Sequence, residues 1–178
     1  MAKITDREVS LPLGIIVERR VSNHPWADWI WKPVAVFMNG AADAHWVELH
    51  AGDGWTRFHA ATLPLTLHRK ETEALRLNLM LDQPELYVVL QENDDPESAF
   101  PLDAHLVTAS SYEAQDHMDA GDDIVEKVEM PEEVAAFIQA FVEEHHVEEE
   151  FIKRRRDRLK IEEHKFGKEP IFQNRTRH

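Results

Sequence analysis

Apolar and polar residues alternate along the first half of the chain in the manner of β-strands. The clearest alternation covers residues 9–17, where apolar side chains recur at every second position and Pro12 interrupts the polar face. Period two predicts a strand with one buried face. Because proline cannot donate to a β-ladder, we expect an edge strand or a bulge at Pro12. Alternation or apolar runs also predict extended segments at residues 31–38, 46–50, 55–68, 75–81 and 86–90, with turns at residues 39–40, 51–54, 71–73 and 82–85.

The period of the apolar residues becomes helical in the second half. Ser110 and Glu113 fit a capping box, and Gly121 stands where a helix-ending glycine belongs, which predicts a helix to about residue 120. Short strands are predicted at residues 104–107 and 124–128. A second helix follows Pro131, with its buried stripe at Val134, Phe137, Ile138 and Phe141.

These elements predict an α+β fold. We expect an antiparallel β-sandwich or partly open barrel in the N-terminal half, helices in the C-terminal half, and a charged helical tail. A length of 178 residues suits one domain with an appendage. We place the domain at residues 1–147, β-rich over 8–108 and helical over 110–147, and a charged helical extension with a basic tail at 148–178.

The formal charge of −14 is unevenly distributed. Residues 1–91 carry −2, residues 92–150 carry −18, and residues 151–178 carry +6. This net negative charge disfavours binding of the whole chain along the phosphate backbone of a nucleic acid. The basic tail would dock either on the acidic zone of its own chain or on another molecule, and the sequence leaves both open.

The absence of cysteine excludes several kinds of site. With no cysteine, the chain has no disulfide scaffold, thiolate zinc site, cysteine-ligated iron–sulfur cluster or cysteine nucleophile. The first residues lack the apolar core of a secretory signal, and no apolar run approaches the length of a membrane helix. We therefore expect a cytoplasmic protein that does not contact a membrane.

Candidate binding residues are concentrated between positions 19 and 55. All five tryptophans fall in residues 26–55, and a tryptophan-rich core is favoured over an exposed platform for a ring or a partner. Trp26 and Trp29 are the best candidates for exposure. Arg19 and Arg20 fall on opposite faces of a strand end, where one of them would clamp a phosphate or carboxylate, although a surface ion pair is the favoured interpretation.

No catalytic, metal-binding or cofactor-binding residues are predicted. Known nucleophile and phosphate-loop motifs are missing from the sequence, and Ser110 and Ser111 are explained as helix caps. Strand parity separates His45 from the pair Glu48 and His50, which disfavours a metal site. The side chains of the adjacent residues His145 and His146 would point in different directions on a helix, which disfavours a shared metal ion.

The tail supplies a second candidate surface. Its run of bases would bind an acidic protein partner more readily than nucleic acid, because an acidic block directly precedes it. The candidate partner-binding residues here are Phe151, Lys153, Arg154, Arg155, Arg156 and Arg158.

Three local patterns together resemble an uncharacterised proteobacterial family, a domain of unknown function. They are residues 18–20 with 25–26 and 31–34, residues 107–114, and residues 141–158. Members of this family are often encoded near molybdenum-containing formate dehydrogenases and their cofactor-assembly genes. The resemblance implies an association with that enzyme system, and it implies no reaction.

We therefore expect a non-catalytic accessory or assembly protein that binds a partner, with a molybdenum-containing formate dehydrogenase as the candidate. The alternative is a small-molecule-binding or enzymatic β-barrel that uses the arginine and tryptophan cluster. A third hypothesis is a nucleic-acid-binding regulator that acts through the basic tail.

Overall fold

The structure is a computed structural model that describes residues 3–5 and 8–146. By its internal contacts the chain divides into a unit of residues 1–147 and a second unit of residues 148–178, and the predicted extension and tail lie outside the described residues. The strands are β1 (Lys3–Thr5), β2 (Glu8–Val21), β3 (Trp29–Met38), β4 (Val47–Gly52), β5 (Trp55–His68), β6 (Glu85–Glu92), β7 (Leu102–Thr108) and β8 (Ile124–Glu129). The helices are α1 (Thr72–Leu79), α2 (Ser111–Ala120) and α3 (Glu132–His145).

The described residues form an α+β fold of two antiparallel sheets, without a closed barrel. In the first sheet β2 pairs with β5 along its length, β4 pairs with the far side of β5, and β1 and β3 share the other side of β2. The second sheet has the order β7-β6-β8, and α2 connects β7 to β8. The predicted fold class is confirmed.

Pro12 lies in a central strand, so the prediction of an edge strand is wrong. It stands opposite Pro64 of β5, and on its other side β1 pairs only up to Ser10 while β3 begins at Leu13. Pro12 has no N–H to donate, and it lies where no strand pairs with that side of β2, so no ladder hydrogen bond is lost. The register shifts lie at residues 15–17 instead.

Residues 72–79 form a helix, so the predicted strand over 75–81 and the turn at 71–73 are wrong. A short 3-10 turn at Arg69–Glu71 leads directly into α1, which buries Thr72, Ala74 and Leu75 and exposes Leu77. Leucine favours helices. Propensity and the helical spacing of the buried residues therefore decide the structure here, although the leucines alternate in sequence.

The helices and short strands predicted between residues 104 and 141 are confirmed. The Ser110 hydroxyl accepts a hydrogen bond from the N–H of Glu113, and α2 ends at Gly121 in the left-handed conformation with φ 78°. α3 buries Val134, Ile138, Phe141 and Val142. These side chains share one apolar core with both sheets, which includes Leu13, Ile15, Val17, Leu86, Val88 and Leu90.

The three described helices are all too short or too polar to cross a membrane.

Candidate functional site

The β2–β3 loop and the β4–β5 turn lie side by side at one end of the first sheet. The backbone N–H of Val21 donates to the carbonyl oxygen of Gly54 at 2.9 Å. Gly54 has φ 76°, a conformation that glycine adopts without steric cost, and it closes the turn. We call residues 19–32 together with residues 53–57 the hairpin end. The sequence-predicted residues Arg19, Arg20, Trp26 and Trp29 all belong to it.

Arg19 lies on the core side of the sheet, where aromatic rings surround its guanidinium. Its Cζ is 4.3 Å from the centroid of Trp29, 5.3 Å from that of Phe58 and 5.7 Å from that of Trp31. Cation–π contacts of this kind contribute roughly 0.5–2 kcal/mol each. The Nε atom is buried and has no hydrogen-bond partner among the described residues. Ring faces, and not a carboxylate, therefore hold Arg19 in place.

Four aromatic rings pack together beneath Arg19. Trp46 stacks on Phe100 with centroids 4.7 Å apart and planes at 8°, and Trp31 meets Trp46 edge-on at 5.4 Å. Phe58 completes the cluster, and Trp46 is only 5% exposed. The interpretation of the tryptophans as core is thus confirmed for Trp31 and Trp46. The buried ring of Trp46 offers no free face for a platform, and Trp31 is partly buried against the same core.

Other apolar side chains around the hairpin tip are exposed. Trp26 is 86% exposed and Trp29 is 41% exposed, and Val21 and Ile30 are about half exposed. The expected exposure of Trp26 and Trp29 is confirmed. Scattered apolar residues are common on protein surfaces, but a group of large ones around a single hairpin is typical of a binding surface.

On the opposite face, one carboxylate organises two arginines. Glu18 is 8% exposed, and its two oxygens accept hydrogen bonds from the Nε atoms of Arg20 and Arg57, each at 2.9 Å. Burial by itself would raise the pKa of Glu18. The hydrogen bonds from Arg57 and Arg20, together with their charges, outweigh burial, so the pKa lies below its ordinary value.

The arginine geometry was predicted in part. Arg19 and Arg20 do lie on opposite faces, and Arg20 forms an ion pair, as predicted, with Glu18 as the partner at 2.8 Å. Glu18 is buried, however, so the pair is more than a surface contact. Arg57 was missed because it lies 39 residues away from Glu18, and only the β2–β5 register brings the two together.

A histidine–aspartate pair joins α2 to β8, and the sequence reasoning missed it. His117 Nδ1 lies 2.7 Å from Asp123 Oδ2, which also accepts a hydrogen bond from Gln91 at 3.3 Å. The ring of His105 is 5.6 Å from that of His117. The hydrogen bond from His117, opposed by burial and assisted by Gln91, lowers the pKa of Asp123. The available signal was the position of His117 and Asp123 on either side of the helix-ending Gly121.

The candidate metal ligands in β4 are not brought together. A register shift pairs Glu48 with Phe58 but His50 with Arg57. Because neighbouring residues of β5 point to opposite faces, Glu48 and His50 lie on opposite faces too, and the predicted shared face is wrong. His45 instead lies 3.8 Å from Asp103. Within residues 8–146, no group of three or more His, Asp and Glu side chains is arranged to hold a metal ion.

A cleft of about 610 Å³ opens near the start of β2, well away in sequence from the hairpin end. Its lining residues are Glu8, His68, Arg69, Lys70 and Glu71. None of the predicted arginines or tryptophans lines it. The predicted tail residues Phe151, Lys153, Arg154, Arg155, Arg156 and Arg158 lie outside the described residues.

Comparison with known proteins gives a family without an assigned activity. A family model described as "Protein of unknown function (DUF3305)" matches residues 12–155. Searches of curated proteins and of solved structures returned no match. Since the family model covers well over half of the chain, including all three helices of the described region, the chain belongs to the DUF3305 family of proteins of unknown function.

Proposed function

We propose that this chain is a non-catalytic accessory or assembly protein that binds a partner protein through the hairpin end. The observation that carries the proposal is the 86% exposure of Trp26 beside Trp29, Val21 and Ile30. Tryptophan and arginine are the residues most enriched among those that dominate the energy of protein interfaces. The hairpin end presents both kinds, with the arginines on strands and Trp26 in the loop between β2 and β3.

The fixed positions of the Arg19 and Arg20 side chains add to this argument. Arg19 is fixed among three rings and Arg20 is fixed by Glu18, so neither side chain needs to be ordered when a partner arrives. Ordering a long side chain costs about 0.5–1.5 kcal/mol on binding, and a preorganised surface avoids that cost. Trp26, which makes no ring contact within the described residues, would be the anchor that enters the partner.

For the partner we propose a subunit of a molybdenum-containing formate dehydrogenase in the cytoplasm. Support comes from the family resemblance, since members are often encoded beside such enzymes. The basic run at residues 153–158 would provide a second contact for an acidic surface. Without cysteine, this chain would hold or recognise the partner and would not pass sulfur through a thiol.

The test is native co-purification of the tagged full chain, with recovered formate dehydrogenase subunits quantified by mass spectrometry. Trp26→Ala is expected to reduce recovery about tenfold or more, whereas Tyr112→Ala is the matched control, because Tyr112 is also a large aromatic residue, 72% exposed on α2. Recovery of no molybdoenzyme subunit with the unaltered chain would overturn the choice of partner. Equal recovery with both variants would overturn the hairpin end as the docking surface.

The two other hypotheses gain no support from the described residues. A pocket built from the arginines and tryptophans would need open ring faces, but Trp31 and Trp46 pack against Phe58 and Phe100. Nucleic-acid binding by the tail depends on residues outside the described region.

A further inference from the structure

A row of charged side chains crosses the first sheet on the face opposite Arg19. The strand register aligns Lys32 of β3 with Glu18 of β2, and Glu18 with Arg57 of β5. Arg20 follows two positions after Glu18 and therefore lies on the same face. We call Lys32, Glu18, Arg57 and Arg20 the cationic row.

The cationic row carries more positive charge than its own carboxylate neutralises. One buried carboxylate, Glu18, stands among three cations in a chain whose formal charge is −14. The hairpin tips add the acids Asp28 and Asp53, so the positive excess belongs to the strands and not to the tips. An isolated positive surface on an acidic protein attracts anionic groups and fixes where they dock.

The cationic row contains N–H groups that donate no hydrogen bond within the described residues. Arg57 donates to Glu18 through Nε, and a guanidinium has four further N–H donors on its two Nη atoms. Among the described residues, neither those Nη atoms nor the Lys32 ammonium donates a hydrogen bond, and Lys32 has no ion-pair partner. The Arg57 side chain is 46% exposed and lies 5.3 Å from the Trp55 ring, which restrains it from a second side.

We propose that the cationic row is a carboxylate-binding site that receives acidic side chains of the partner segment docked at the hairpin end. Planar guanidinium groups bind carboxylates with two parallel hydrogen bonds, and Glu18 holds both arginines in a fixed orientation for this. The site rests on the proposed function, because it lies on the same hairpin as Trp26, and the exposed Ile30, which pairs with Arg20, lies on its face. The partner segment would then combine aspartate or glutamate with apolar residues that contact Ile30 and Trp26.

An acidic peptide is favoured over nucleic acid as the occupant. Residues 92–150 carry a net charge of −18 with Lys127 as their only base. The acidic chain repels a long polyanion more strongly than a short segment with few acidic side chains.

The test measures binding of fluorescent probes to the purified full chain by anisotropy. The probes are a peptide rich in glutamate and leucine, its glutamine counterpart, and single-stranded DNA of the same formal charge. We expect the glutamate peptide to bind, the glutamine peptide to bind at least tenfold more weakly, and Lys32→Gln to weaken the glutamate peptide several-fold. Arg76→Gln, an exposed base on α1, is the charge-matched control and is expected to leave binding unchanged.

Lys32→Gln leaves the bonds to Glu18 intact, so a loss of binding cannot be attributed to misfolding. Arg57→Gln is the second variant, with the folded state checked by circular dichroism. Equal binding of both peptides, equal effects of Lys32→Gln and Arg76→Gln, or tighter binding of the DNA would each overturn the carboxylate site. If the site fails while Trp26→Ala still abolishes co-purification, the docking surface stands; if co-purification fails as well, the proposed function falls with it.

Discussion

The side-chain amide of Asn78 is paired with the backbone of Glu85 by two hydrogen bonds. Asn78 Nδ2 donates to the Glu85 carbonyl oxygen at 2.7 Å, and the Glu85 N–H donates to Asn78 Oδ1 at 2.9 Å. The same Nδ2 donates to the carbonyl oxygen of Ala109 at 2.9 Å. The Asn78 side chain, near the end of α1, thus provides hydrogen-bond partners for backbone groups at the start of β6 and just after β7.

Replacing Asn78 is therefore expected to destabilise the fold. Asn78→Ala removes three hydrogen bonds and leaves half-buried backbone groups without partners, which should lower the free energy of unfolding by about 1–3 kcal/mol. Urea denaturation measures the change. Gln83→Ala, in the exposed turn just before β6, is the control and should stay within about 0.5 kcal/mol of the unaltered chain. Equal values for the two variants would contradict the role of Asn78.

The two adjacent serines before α2 are expected to differ. Ser110 caps the helix through its hydroxyl, so Ser110→Ala should cost about 1 kcal/mol. Ser111 is exposed at the first helical position, and Ser111→Ala should change stability by less than about 0.5 kcal/mol. Thermal unfolding of the pair measures the difference. Ser111→Ala as the more harmful change would rule out the capping geometry.

Trp46 and Trp26 are expected to differ strongly in how much stability their replacement by alanine costs. Trp46→Ala opens a cavity against Phe58 and Phe100 and is expected to cost about 3–5 kcal/mol. Trp26→Ala removes an exposed ring and should leave stability nearly unchanged. Chemical denaturation gives both values. If Trp26→Ala destabilised the chain strongly, loss of partner binding by that variant would no longer report on docking.

Asp123 should contribute to the loss of stability in acid. Its pKa is lowered in the folded state, so its contribution is present above the unfolded aspartate value of about 3.9 and is lost as pH falls through the lowered folded value. Asp123→Asn should therefore flatten this part of the curve of unfolding free energy against pH. His117 keeps an acceptor in that variant. A curve as steep as that of the unaltered chain would show that Asp123 does not titrate in this way.

Sequence patterns predicted the elements whose signals are local. The alternation in β2 and β5 follows from a single buried face, and the caps Ser110 and Gly121 act within a few residues of the helix they bound. α1 was mispredicted because its leucines alternate while its buried positions, such as Thr72 and Leu75, follow a helical period. Propensity was the signal that would have distinguished the two.

Only the features of the candidate site that depend on a single strand could be predicted from the sequence. Opposite faces for Arg19 and Arg20 follow from strand parity. The contacts of Arg57 with Glu18, and of Arg19 with Phe58, depend on a β2–β5 register that contains an irregularity at residues 15–16, and no local pattern encodes that shift. The register shift in β4 likewise moved His50 to the face opposite Glu48.

Phe100 comes from the loop between β6 and β7 of the second sheet, yet its ring stacks on Trp46 beside the first sheet. The two sheets therefore cannot separate without breaking this stack, which couples their unfolding into one cooperative transition. Tryptophan emission, although it arises entirely from residues 26–55, will also report the opening of β6 and β7. The loop between β6 and β7 is tied to the aromatic cluster through Phe100, so a partner that displaces Trp46 would also disturb this loop of the second sheet.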